Sequence, residues 1–224
     1  MSTVIYRAPV EVAGTLSAIV TMPAGFEPGK GERLPVILFL HGAGERGDGS
    51  DAALERVRVH GVPKLFTRDP DHLGLRAITI SPQCPEGMTW IHLIIPLKAW
   101  LDRAVEAFGG DPARIAVTGL SMGGYGTWEM ICTYPDAFTA AAPICGGGSA
   151  WRTGVLGGKR LRVFHGIDDK VVPFEQSLSM VRGARAAGAD VSFIAYDRVG
   201  HNSWELAYES TDLIPWLCGA EARA

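Results

Sequence analysis

The stretch RIAVTGLSMGGYGTW (residues 114–128) decides how this chain folds. Its first half, RIAVTG, is an apolar β-branched run of strand length. Its second half, from Gly123 onward, carries the small and apolar residues of a helix that packs closely. Between them lies Gly119-Leu120-Ser121-Met122-Gly123. A strand that turns into a helix over so few residues leaves no room for side chains beside the turn, hence the glycines around the serine. The strained corner lifts the Ser121 hydroxyl clear of the sheet, and the helix that follows points its positive end at it. A G-x-S-x-G match alone is common; one bracketed by a strand and a helix start is a nucleophile elbow.

The same alternation continues on either side. LPVILFL (34–40) is a continuous apolar run, as expected of a strand buried on both faces. RAITIS (76–81), TAAAPI (139–144), LRVFH (161–165) and VSFIAY (191–196) repeat it. Residues 3–7 and 15–21 suit an antiparallel pair leading into the sheet. Helices are expected over 96–108, with Pro96 in the first turn and Gly109-Gly110 ending it, and over 123–134, 174–187 and 203–217. Strands alternating with helices imply an α/β fold: a mostly parallel twisted sheet covered on both faces. Function in such folds gathers at the carboxyl ends of the strands.

Composition bounds the rest. At 224 residues with 47% hydrophobic content, the chain reads as one domain, 1–224, with a core that needs no metal or disulfide. Lys and Arg number 21 against 24 Asp and Glu, so no basic face calls for nucleic acid or an anionic membrane. Neither a secretory signal nor a membrane-spanning run is apparent, and a cytoplasmic location is the expectation. Cys84, Cys132, Cys145 and Cys218 lack metal-ligand spacing and read as free buried thiols. No metal or other cofactor is implied.

A serine hydroxyl needs a base to take its proton. Of the six histidines, His201 lies just past the last strand and just before the last helix, on the carboxyl edge shared with Ser121. His41 and His165 read as loop buttresses, and His60, His72 and His92 as surface or core residues. The acid that orients the imidazole should come from FHGIDDKVVP (164–173), which also opens on that edge. Asp168 and Asp169 stay unseparated on spacing alone, and Asp197 is a remote third. Met122, the residue after the serine, should offer its backbone N–H to the oxyanion of a tetrahedral intermediate.

With FLHGAGERG (39–47), PQCPEG (82–87), GLSMGGYGTW (119–128), YPDAFTAAAPICGGG (134–148), FHGIDDKVVP (164–173) and VGHNSW (199–204), the chain resembles bacterial α/β-hydrolase esterases. These are the phospholipase/carboxylesterase and "predicted peptidase" type, akin to dienelactone hydrolases. The resemblance implies Asp169 as the acid, from the pattern H-G-x-x-D-x-x-V-P, with His201 as base and Ser121 as nucleophile. It implies Ala43, with Gly44 next, as the second oxyanion donor. It favours Trp90 and Trp204 as pocket walls, with core packing the other reading. Glu45 and Arg46 read as a loop-bracing ion pair, and 48–55 as a solvated loop and helix start.

The interval 146–160 is too short to hold a helical cap. The implied activity is therefore that of a serine carboxylesterase acting through an acyl-enzyme on small esters with short or aryl acyl groups. A serine peptidase, or a lysophospholipase or thioesterase using the same three residues, is the alternative.

Overall fold

The computed structural model describes residues 2–69 and 75–219. His72 lies outside them. One eight-stranded sheet runs through the described residues in the order β1-β2-β4-β3-β5-β6-β7-β8. These strands are β1 Ser2–Val10, β2 Gly14–Met22, β3 Leu34–Leu40, β4 Ile78–Pro82, β5 Gly110–Leu120, β6 Ala140–Ile144, β7 Arg160–Gly166 and β8 Asp190–Tyr196. β2 runs antiparallel to both β1 and β4, and every other pairing is parallel.

The period-2 alternation of the central strands divides the core into two layers. Val36, Leu38 and Leu40 of β3 face α3 (Trp90–Ala107), α4 (Met122–Thr133) and α5 (Phe174–Ala186). Ile37 and Phe39 face α2 (Gly61–Arg68), α6 (Trp204–Glu209) and α7 (Leu213–Leu217). All five β3 side chains are completely buried, each contributing about 1.5–3 kcal/mol on transfer from water. A short helix, α1 (Asp51–Leu54), is capped by Ser50, whose hydroxyl accepts from Ala53 N–H.

Two helical expectations change. Residue 96 does not open α3; Pro96 is its seventh residue. The buried stripe starts at Trp90 and continues through Leu93, Ile94, Leu97, Trp100, Leu101, Ala104 and Val105. Thr89 caps the helix reciprocally with His92. The proline is tolerated because the carbonyl it deprives of a donor belongs to exposed His92. The expected helix over 203–217 is broken into α6 and α7. Thr211 accounts for the break: its hydroxyl donates to Ala207 O and accepts from Leu213 N–H, taking the place of helical bonds.

The interval between β6 and β7 holds only a 3-10 turn, Ala150–Val155. No helical cap is therefore inserted between β6 and β7.

Candidate active site

Ser121 sits between β5 and α4 with φ 54 and ψ −117, a conformation that side chains rarely adopt. The glycines explain how the chain tolerates it. A Cβ on Gly123 would lie 1.8 Å from Leu40 O, and one on Gly119 2.5 Å from Gly123 O. Ser121 N–H donates to Ile144 O, and Tyr125 N–H donates to Ser121 O, pinning the corner from both sides.

Three side chains converge there. His201 Nε2 lies 2.9 Å from Ser121 Oγ, and His201 Nδ1 lies 2.7 Å from Asp169 Oδ2. An ionised carboxylate only accepts, so Nδ1 carries the hydrogen and Nε2 is free to accept from the serine. Asp169 Oδ1 takes two further bonds, from Val171 N–H at 2.8 Å and Val172 N–H at 2.9 Å. Burial alone would push this carboxyl up. The bonds from His201, Val172 and Val171 outweigh it and hold Asp169 below the usual carboxylate range. Asp168 is exposed, its backbone N–H donating to Val199 O. Asp197 is paired with Arg198 at the surface.

Cys145 follows β6 and, with Asp169 and His201, offers an atom to a cluster less than 4.8 Å across. Burial pushes its thiol up to about 12, so it stays protonated and is no nucleophile at neutral pH. All four cysteines are free.

Ala43 opens the 3-10 turn Ala43–Glu45, and Met122 opens α4. A first helical residue has no carbonyl one turn back, so both N–H groups are unused donors. Gly42 brings the Ala43 loop against the elbow: a Cβ there would lie 3.7 Å from Ser121 Cβ.

His41 sets that loop. Its buried Nε2 accepts from Cys84 N–H at 2.9 Å, its Nδ1 lies 2.6 Å from Gly42 O, and its backbone carbonyl accepts from Trp90 Nε1–H. Burial pulls the ring from 6.5 down to about 4. Between those pH values the unfolded chain binds a proton that the folded chain refuses, so stability falls as pH falls. From pH 7 to 5 this one group should cost about 2 kcal/mol. Denaturant midpoints at the two pH values check it. In His41→Gln, which keeps an acceptor for Cys84 without titrating, that slope should flatten by the same amount; an unchanged slope would refute the assignment.

The pocket differs from the expectation. Trp90 is not a wall of it: the residue is completely buried, its indole N–H spent on His41 O and its ring edge-on to the His41 imidazole. The next residue on α3, Ile91, points outward and is 53% exposed. With Thr89, Met122 and Tyr125 it lines an apolar groove of about 320 Å³ beside the elbow. Met122 thus lines this groove with its side chain as well as opening α4 beside Ser121. Trp204 stands at the site, half-buried, but edge-on to His201 at 5.3 Å and against His60 at 5.4 Å. Glu45 and Arg46 make no ion pair with each other. Arg46 instead donates to Ala43 O and Met88 O, and Glu45 is buried beside Gly42, its carboxyl raised by that burial.

Comparison with known proteins agrees with this architecture. A thermostable esterase structure superposes with a TM-score of 0.81 at 30% identity, over 96% of this chain and 62% of that one. The fold is that of the α/β-hydrolases. Thermogutta terrifontis esterase 2 phosphorylated by paraoxon superposes with a TM-score of 0.70 at 15% identity, over 99% and 97% of the two chains. Poly(3-hydroxyalkanoate) depolymerase C of Paucimonas lemoignei is 45% identical over 53 residues, 24% of this chain and 13% of that protein. The chain thus spans 62% of the thermostable esterase and a small part of the depolymerase. No family model matches.

Proposed function

We propose that this α/β-hydrolase chain forms one domain over residues 1–224 and acts as a serine carboxylesterase that cleaves small-molecule esters with short or aryl acyl groups. The observation that carries the reading is the relay from Ser121 Oγ through His201 to Asp169, at 2.9 and 2.7 Å. Ser121 attacks the ester carbonyl while His201 Nε2 takes its proton. Asp169 stabilises the imidazolium that forms, and the N–H groups of Ala43 and Met122 receive the oxyanion. His201 then protonates the departing alkoxide, leaving an acyl-enzyme on Ser121. Water, activated by the same imidazole, releases the acid.

Two features favour small esters. The groove of Thr89, Ile91, Met122 and Tyr125 is small, about 320 Å³, and open. An amine must also be protonated in good geometry before it leaves, whereas an alkoxide departs more readily. The likeness to an esterase that reacted with paraoxon points the same way. Free thiols suit a reducing compartment, and we take the location to be cytoplasmic.

Nitrophenyl esters of increasing acyl length, run beside matched peptide amides, provide the test. The expected order of kcat/KM is acetyl to butyryl highest, long acyl chains falling away, and amides negligible. Ile91→Trp, which fills the groove, should penalise butyryl more than acetyl. A preference for amides would overturn the esterase reading, and a preference for long-chain lipid would overturn the short groove.

A further inference from the structure

His165, at the end of β7, is completely buried and has no part in the relay just described. Its Nε2 lies 2.9 Å from Val172 O and 3.2 Å from Asp169 Oδ2, the same oxygen that receives His201 Nδ1–H. Both neighbours only accept, so Nε2 carries a hydrogen. On the other side of the ring, Nδ1 lies 2.7 Å from Ser177 Oγ, which is itself 2.7 Å from Gly146 O after β6. Phe174 meets the ring edge-on at 5.7 Å. The ring is held in place on both sides, with Ser177's single hydroxyl hydrogen placed between Gly146 O and Nδ1, and the two acceptors beside Nε2 direct its N–H at the Asp169–Val172 turn.

We propose that His165 is a positioning residue for Asp169, setting its N–H charge 3.2 Å from the Oδ2 that His201 bonds and fixing, through Val172, the backbone that binds Oδ1. Its importance for turnover rests on the serine-hydrolase reading; its effect on the imidazole does not. The His165 N–H, bonded to Val172 O and 3.2 Å from Oδ2, places positive charge beside that oxygen, draws negative charge away from His201 and makes that imidazole a weaker base. The donor to Val172 O holds the residue whose own N–H donates to Oδ1. His165 therefore acts on both carboxylate oxygens, one directly and one through the backbone.

The other groups around His201 do not supply this effect. Cys145, from the end of β6, keeps its proton. Tyr125 on α4 is a phenol whose proton is held more tightly than usual by burial and by Asp169. Trp204 on α6 offers a ring edge, and behind it Glu205 is occupied by His60 and Lys64. The Ser121 hydroxyl is neutral.

The test reads the histidines by nitrogen-15 NMR, with no substrate needed. In the wild-type chain His165 should carry its hydrogen on Nε2; a bare Nε2 would overturn the proposal without any variant. In His165→Leu, which removes the donor, the titration midpoint of His201 should rise by about 0.5–1 pH unit. In His165→Gln, whose amide N–H replaces the ring N–H, it should return to the wild-type value. Where esters are turned over, kcat in the leucine variant should fall about tenfold at constant KM, and the glutamine variant should recover it. A His201 midpoint equal in all three proteins would make His165 a packed core residue and nothing more. A wild-type chain that turns over no ester would remove the functional reading while these titrations still judge His165.

Discussion

Ser121→Ala should lower kcat by about 10⁶ and leave the fold intact. The magnitude follows from the relay acting as a unit: once the attacking oxygen is gone, only oxyanion donors and binding remain to assist water. Stability should change little, within about 0.5 kcal/mol, because the hydroxyl is half-exposed and both residues carry a Cβ at the same positive φ. Ser121→Gly separates the two effects further. Glycine occupies φ 54 without strain, so this variant should be as inactive as the alanine variant yet more stable, by about 1 kcal/mol. Steady-state kinetics and denaturant midpoints on the three proteins test both halves. A fluorophosphonate should label Ser121 in the wild type and nothing in the variants. Labelling of another serine, or turnover in the alanine variant within tenfold of wild type, would refute the nucleophile assignment.

The elbow was readable in the sequence because its causes are local. Gly119 and Gly123 answer to carbonyls a few ångströms away, and that demand appears as a glycine pattern in one short window. The central strands were readable for the same reason, β3, β5 and β6 each holding a contiguous apolar run. The pocket was not. Choosing Trp90 over Ile91 depends on where α3 starts, and one residue on a helix is a 100° rotation. Taking Pro96 as the first turn hid the upstream phase that carries Trp90 inward and Ile91 outward. The role of Thr211 in splitting 203–217 was hidden as well, since a threonine that bonds its own backbone looks like any polar helix residue. His165 was legible only as a loop buttress, which its bond to Val172 O matches; its approach to Asp169 left no signal, because a four-residue spacing across a strand end and a turn follows no periodicity.

Asp169→Asn should lower kcat by about 10⁴, and Asp168→Asn by less than about twofold. Spacing alone could not separate these neighbours, but their surroundings do. Asp168 is exposed, and the bond it makes to Val199 O comes from its backbone, which asparagine retains. Asp169 has Oδ1 held by two backbone donors, Val171 and Val172 N–H. In the asparagine variant those donors require the amide oxygen at the Oδ1 position, which places the NH₂ at the Oδ2 position. That NH₂ would face His201 Nδ1 and His165 Nε2–H, where the carboxylate had accepted. His201 can meet it only by moving its own hydrogen to Nε2, and an Nε2–H cannot take a proton from Ser121. The variant thus holds the base in the wrong tautomer without displacing it, so KM should change little while kcat collapses. The nitrogen-15 spectrum should show His201 protonated on Nε2 in this variant and on Nδ1 in the wild type. An Asp168→Asn protein as impaired as Asp169→Asn would move the acid to Asp168; an Asp169→Asn protein with near-normal kcat would remove the carboxylate from the mechanism.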